Sequence, residues 1–160
     1  MSIKHSARAI LFGLQKQPHL LDLIRRVWRF TRPRYTAGAV AIIFNDAGEV
    51  LLVEHVFHAF IPWGLPGGYL DRREDPDKAV LRELREELEL EAEISQIIRV
   101  ERNFGDHLDF TYLCHPRGAV GKLSMELKAY RWIALVDLPV LPDHQREAIM
   151  EAAARVAVVR

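Results

Sequence analysis

Three glutamates lie within a stretch of five residues, at spacings that could hold a metal ion. They are Glu83, Glu86 and Glu87. Residues three and four positions apart share one face of a helix, so the three carboxylates would project together and repel each other. A hard divalent cation such as Mg²⁺ binds carboxylate oxygens and would neutralise them. A solvated acidic helix face, balanced by the neighbouring Arg82 and Arg85, is the alternative explanation.

A glycine-containing loop precedes these glutamates and could bring backbone atoms close to a ligand. It reads Leu65-Pro66-Gly67-Gly68. Because glycine has no Cβ, such a loop could point a carbonyl at a cation or N–H groups at phosphate oxygens. Most Gly-Gly pairs are only turns, so the loop indicates a ligand site only in combination with the glutamates that follow it.

Together, the loop and the glutamates resemble the Nudix box, Gly-x5-Glu-x7-Arg-Glu-U-x-Glu-Glu-x-Gly-U, in which U is a bulky aliphatic residue. Eight of its nine defined positions match over 23 residues, namely Gly68, Glu74, Arg82, Glu83, Leu84, Glu86, Glu87 and Leu90. The exception is Glu89, where the family carries a glycine that ends the helix in a left-handed conformation. Since a non-glycine residue there costs about 1–2 kcal/mol, we expect the helix either to continue further or to end differently.

The resemblance implies a fold and a metal site. The fold would be α+β, a Nudix-like α/β/α sandwich with a mixed β-sheet, extended here by an N-terminal helical arm. The glutamate that matches Glu74 pairs with the arginine that matches Arg82 and braces the helix. In the family, Mg²⁺ or Mn²⁺ is held by the groups that match the carbonyl of Gly67 and the carboxylates of Glu83, Glu86 and Glu87.

The implied reaction is hydrolysis of a pyrophosphate bond in a nucleoside diphosphate derivative. Bound cations neutralise the phosphates and acidify a water molecule, and a carboxylate accepts the proton of that water. Glu83 is the first candidate for this base. Glu126, just before a predicted strand, is the second, and a plain surface role for it is equally open. ADP-ribose or nucleotide sugars are the favoured substrates, with nucleoside triphosphates, dinucleoside polyphosphates and RNA 5′ ends as alternatives.

Two rival functions use the same kind of domain. One is a Nudix-like domain that senses a nucleotide without cutting it, and the other is an isomerase that acts on an isoprenyl diphosphate. All box carboxylates are present, which argues against the sensor. The surroundings of Cys114 do not resemble the cysteine motif of the isomerases.

The substrate is expected to contact residues near the glycine loop. Gly68 lies in the loop itself, and His55 precedes it. Arg73 occupies the place before Glu74 where family members often carry glycine, and it could reach a substrate phosphate or simply lie on the surface. The aromatic residues Phe104, Phe110 and Tyr112 could stack a base, and Asp106, His107 and Asp109 are further candidates for substrate contacts.

The charge distribution divides the chain into a basic arm and an acidic body. Residues 1–36 contain eight Lys and Arg against one acid, a net charge of +7, and residues 37–160 therefore carry −7 because the whole chain is neutral. We interpret 1–36 as a basic amphipathic helical arm and 37–160 as the Nudix domain. The arm could dock on the domain or on a second copy in a homodimer, rest on anionic lipid, or steer a polyanionic substrate. Without a nucleic-acid-binding motif, an RNA-binding module is not indicated.

The remaining pattern predicts the elements that carry the box. We expect two helices in the arm divided by Pro18, a hairpin of strands 38–44 and 50–56, and a helix from Asp75 to about Leu90. Strands at 92–104, 107–115 and 127–133 and a closing helix at 143–156 follow. There is no signal-peptide pattern, and the longest uncharged apolar stretch, Ala37–Phe44, is too short to span a bilayer, so we expect a soluble, cytoplasmic protein.

Overall fold

The computed structural model describes residues 18–58, 60–103 and 105–159. The chain forms two compact units, one ending at Arg34 and the other beginning at Tyr35. The described part of the first unit contains helix α1 (Pro18–Phe30), and the guanidinium of Arg32, just after this helix, lies 3.7 Å from the ring centre of Trp28. The helix predicted before Pro18 lies outside the described residues. No helix in the described ranges is long and apolar enough to cross a membrane.

The described residues of the second unit form two β-sheets and two α-helices. The mixed sheet has the strand order β4-β1-β6-β5, with β1 and β6 parallel and the other pairs antiparallel; the three-stranded sheet has the order β3-β2-β7 and is antiparallel. The bounds are β1 Thr36–Ile43, β2 Val50–His55, β3 Trp63–Gly64, β4 Gly67–Tyr69, α2 Pro76–Leu88, β5 Ala92–Arg102, β6 His107–Pro116, β7 Leu127–Ile133 and α3 Asp143–Val159.

The predicted hairpin of the first two strands is wrong. The turn forms, since the N–H of Gly48 donates to the carbonyl of Asn45, but only one bridge, Phe44 to Val50, follows it. The strands then separate into the two sheets. Residues 37–43 of β1 and 50–53 of β2 are apolar runs that are mostly buried on both faces. Each strand takes a central position, with a neighbouring strand on either side. Such runs are typical of buried central strands.

Helices cover both faces of the sheets, which confirms the predicted α+β class and the Nudix-like arrangement of layers. On one face, α2 packs Val80, Leu84 and Leu88 against alternate residues of β1, β2 and β6. On the other face, α3 contributes Ala148, Ile149 and Ala152 to a second core with the opposite sides of the same strands. The structure adds a second sheet to the single mixed one expected.

Helix α2 ends where the box glycine would end it. Asp75 is the N-cap residue, Pro76 the first helical residue and Leu88 the last. Glu89 adopts the left-handed conformation, with φ 46° and ψ 37°, and its N–H donates to the carbonyl of Arg85. Neither outcome expected for Glu89 occurs: the helix does not continue, and it ends in the left-handed conformation that was expected only of a glycine.

Candidate active site

A cavity of about 490 Å³ opens beside the glycine loop, and it brings together residues from distant parts of the sequence. One wall is formed by carboxylates of α2 and the loop before β7, and we call it the carboxylate wall (Glu83, Glu87, Glu126). The opposite wall comes from the ends of β5 and β6 and the start of α3, and we call it the Asp109 wall (Asn103, His107, Asp109, His144). Gly67 and Gly68 lie between them on β4.

Glu87 is the most buried member of the carboxylate wall, with 5% of its surface exposed. Its Oε2 accepts a hydrogen bond of 2.9 Å from the N–H of Gly67. Burial raises the pKa of this carboxyl to about 8, and the charges of Glu83 and Glu126 add to the effect while the Gly67 hydrogen bond opposes it. Burial also raises the pKa of Glu83, against the lowering effect of Arg82. A positive charge beside the carboxylate wall would therefore stabilise the ionised forms of these glutamates.

Arg82 connects the predicted bracing residue to the carboxylates. Its Nε and Nη2 donate to the two oxygens of Glu74 at 2.9 and 3.0 Å, and Nη1 donates to Glu83 and Glu86 at 2.9 Å each. A bidentate arginine–carboxylate pair fixes the orientation of both groups. The Arg82 hydrogen bonds hold the pKa of Glu74 down at about 2, helped by the N–H of Asp71. Glu74 and Arg82 are thus paired as the resemblance implies.

Two glycines make close contacts at this site, Gly67 with backbone atoms and Gly68 with the end of a side chain. Gly67 has φ 140°, and a Cβ there would lie 2.2 Å from the carbonyl oxygen of Ala39 on β1. A Cβ on Gly68 would lie 2.5 Å from Oε1 of Glu83. The loop therefore lies against β1 on one side and against the carboxylate wall on the other.

The donor set fits a hard divalent cation. It consists of carboxylate oxygens, one of them deeply buried, beside a loop that exposes backbone groups, which is the chemistry that Mg²⁺ and Mn²⁺ favour. In the described ranges, no three carboxylate, imidazole or thiol groups are already arranged around one metal-sized point. Arg82 engages Glu83 and Glu86, and the Glu86 side chain is 61% exposed and outside the cavity lining. Arg82 occupies one oxygen of each of these two carboxylates, Oε1 of Glu83 and Oε2 of Glu86.

The structure places the remaining predicted residues in different surroundings. Gly68, His55 and Glu126 line the cavity. Burial, and then the neighbouring His58 ring 4.5 Å away, lower the pKa of His55 to about 4. Arg73 is exposed and outside the lining, and it has a positive φ of 68°.

Two members of the Asp109 wall, His107 and Asp109, were candidates for substrate contacts from the sequence, whereas Asn103 and His144 were missed; the third candidate, Asp106, lies outside the cavity lining. Asp109 Oδ1 accepts from His107 Nε2 at 3.0 Å, and Oδ2 accepts from Asn103 Nδ2 at 2.8 Å. Asn103 Nδ2 also contacts His144 Nε2 at 2.9 Å, and Thr36 Oγ1 lies 2.7 Å from His107 Nδ1. His107 and Asp109 lie on β6, within the strand predicted at 107–115, and they are 7% and 8% exposed. The signal available in the sequence was their spacing of two residues, which puts both side chains on the same face of a strand.

The aromatic candidates for base stacking do not form part of the cavity lining among the described residues. Tyr112 is buried in the α2 core and Phe110 packs against it. Phe104 lies outside the described residues. Tyr69 lines the cavity instead, with its ring edge-on to His107 at 5.2 Å between centroids.

Comparison with known proteins places this geometry in a family. Residues 34–154 match the family described as NUDIX domain. A putative 8-oxo-dGTP diphosphatase of Bacillus subtilis (strain 168) is 30% identical over 118 residues, which cover 71% of this chain and 77% of that protein.

Solved structures agree with the sequence comparison. A MutT NUDIX hydrolase from Burkholderia pseudomallei is 30% identical with a TM-score of 0.66, covering 74% of this chain and 98% of that one. An ADP-ribose pyrophosphatase from Streptococcus suis 89-1591 is 25% identical with a TM-score of 0.63, covering 75% and 92%. The chain belongs to the NUDIX domain family and is a Nudix hydrolase.

Proposed function

We propose that the protein hydrolyses a pyrophosphate bond in a nucleoside diphosphate derivative, with Mg²⁺ or Mn²⁺ as its cofactor. The observation that carries the proposal is the carboxylate wall: a buried Glu87 beside Glu83 and Glu126, in a cavity large enough for a nucleotide. A carboxylate with a pKa near 8 among like charges is stabilised in its ionised form when a cation binds.

The proposed metal ligands are the Gly67 carbonyl and the carboxylates of Glu83, Glu86 and Glu87. When bound, the cation neutralises the phosphates and acidifies a water molecule. Arg82 and Glu74 hold the helix in register with the loop, because their bidentate pair spans from α2 to the segment after β4. Arg82 also places a positive charge beside Glu83 and Glu86, where a cation held by these carboxylates would add to it.

Glu126 is our choice for the group that accepts the proton of the attacking water. From the sequence Glu83 came first, but Glu83 is also a proposed metal ligand, and its Oε1 already accepts a hydrogen bond of 2.9 Å from Arg82. Among the described residues, Glu126 forms no ion pair. Its carboxylate faces the same cavity and interacts electrostatically with both Glu83 and Glu87.

The two walls suggest which part of the substrate binds where. Phosphates belong on the carboxylate wall once cations have neutralised it, whereas the Asp109 carboxylate would repel them. Asp109 and Asn103 instead suit a moiety rich in N–H, O–H and carbonyl groups, such as a sugar or a nucleobase. Gly68 and His55, the other proposed substrate contacts, line the same cavity, and a contact of Arg73 with phosphate stays a prediction from the sequence.

The relatives' names support two substrate classes. The Streptococcus suis protein is named an ADP-ribose pyrophosphatase and the Bacillus subtilis protein a putative 8-oxo-dGTP diphosphatase. A panel of ADP-ribose, a nucleotide sugar, 8-oxo-dGTP, dGTP, a dinucleoside polyphosphate and a triphosphorylated RNA end covers both classes and the alternatives.

The test is product formation from this panel with Mg²⁺, Mn²⁺ or EDTA, with products identified by mass spectrometry. We expect metal-dependent cleavage that Glu87→Gln reduces at least about a hundredfold, the size typical of losing a group that stabilises transition-state charge. Glu93→Gln, an exposed glutamate paired with Arg117 outside the cavity, is the matched control and should retain activity. Tight binding without cleavage would instead favour the nucleotide-sensing alternative.

A further inference from the structure

The C-terminal end of α2 is covered by the loop that leads into β7. The last carbonyls of any helix lack partners within the helix and need donors from elsewhere. Here the N–H of Gly121 donates to the carbonyl of Leu88 at 2.8 Å, and the N–H of Ser124 donates to that of Glu87 at 2.9 Å. The segment 121–126, which we call the Glu126 loop, is therefore attached to the same helix turn that carries the proposed metal ligands.

Glu89 adds a side-chain attachment that a glycine could not make. Its Oε2 accepts a hydrogen bond of 3.2 Å from the N–H of Lys122. The packing is close, since a Cβ on Gly121 would lie 2.8 Å from Cβ and 2.9 Å from Oε2 of Glu89. The left-handed conformation at Glu89 directs its side chain onto the loop, and the small residue at 121 lets the loop approach.

The other end of the Glu126 loop, at Glu126 itself, is also held by hydrogen bonds. The N–H of Glu126 donates to Ser124 Oγ at 3.3 Å, and its carbonyl accepts from the N–H of Val56 at 2.8 Å. Ser124 therefore links the backbone of Glu87 to the backbone of Glu126. A shift of the loop at residues 121–124 would pass to the Glu126 side chain in the cavity.

We propose that Glu89 is a positioning residue, which fixes the Glu126 loop on the end of α2 and thereby holds the Glu126 carboxylate in the same wall of the cavity as Glu83 and Glu87. The part of the inference that concerns catalysis rests on the proposed function. In this chain the residue that departs from the Nudix box accepts an unfavourable backbone conformation, and its side chain provides an attachment in return.

The proposal predicts opposite effects on stability and activity in one variant. Glu89→Gly removes the left-handed strain, so its thermal midpoint should equal or exceed that of the wild type. It also removes the attachment, so kcat should fall about tenfold or more with KM changed less than twofold, since small misplacements of a reacting group slow chemistry strongly. Glu89→Gln keeps an acceptor oxygen and should recover most of the lost kcat.

Amide hydrogen exchange gives a measurement that does not depend on activity. In Glu89→Gly, the amides of Lys122 and Ser124 should exchange at least about tenfold faster than in the wild type, whereas Glu91→Gln, an exposed neighbour paired with Arg85, should leave them unchanged. Unchanged exchange together with unchanged kcat in Glu89→Gly would overturn the proposal, as would activity that simply follows stability. If the wild type cleaves nothing, the proposed function fails, and the exchange rates still decide whether Glu89 holds the loop.

Discussion

Gly67→Ala is expected to be one of the most damaging single-methyl substitutions in this protein, for reasons that can be separated. The backbone there has φ 140°, which costs an alanine about 1–3 kcal/mol. The added Cβ would also lie 2.2 Å from the Ala39 carbonyl oxygen and 2.7 Å from the Cα of Val40, both backbone atoms that a rotamer change cannot move. Relieving that overlap must separate β4 from β1, and overpacking of this kind costs about a further 1–3 kcal/mol.

Gly118→Ala is the matched control, because it separates backbone strain from steric overlap. Gly118 has a similar φ of 124°, and its added Cβ would meet nothing within 4 Å. We expect the control to lose only the conformational contribution, about 1–3 kcal/mol. Gly67→Ala should lose about 2–4 kcal/mol more, including about 1 kcal/mol for the hydrogen bond from its N–H to Glu87. Since a domain is stable by only about 5–15 kcal/mol, that is a large share.

The assay is urea unfolding at equilibrium, comparing midpoints and m-values of the wild type and the two variants. At unchanged m-value, the difference in midpoint gives the difference in the free energy of unfolding. A Gly67→Ala midpoint equal to that of Gly118→Ala would refute the argument, because it would mean that β1 and β4 accommodate the methyl group without cost.

Three further predictions concern single side chains. Without metal, Glu87 has a folded pKa near 8 against an unfolded value near 4.5, so the folded state binds more protons and stability falls as pH rises between these values. Thermal melts should show that fall in EDTA, and its loss with Mg²⁺ or in Glu87→Gln. Asp109→Asn should change the ratio of kcat/KM between ADP-ribose and 8-oxo-dGTP by about tenfold, whereas an unchanged ratio would remove the Asp109 wall from substrate recognition. Cys114, which is 1% exposed and whose pKa burial raises to about 12, should not react with a thiol reagent at neutral pH until the protein is unfolded; rapid labelling of native protein would contradict this.

The sequence by itself determined the part of the site that is local. Glu83, Glu86 and Glu87 share a helix face because helix periodicity acts over three and four residues, and this needs no tertiary contact. Asp75 and Pro76 similarly mark the start of α2. The α+β class followed from the alternation of such local patterns together with the Nudix box.

The tertiary structure decided which distant segments meet. The two apolar strands looked like a hairpin, yet each became the centre of a different sheet because both of its edges and both of its faces needed partners. The Asp109 wall joins the ends of β5 and β6 to the start of α3, about forty residues further along the chain. No local sequence pattern predicts that these segments meet. Glu89 was read from the sequence only as a misfit at a helix end. Its contact with Lys122 exists because the chain returns to cover the exposed carbonyls of α2, a need that is local to the helix but is met by a segment more than thirty residues away.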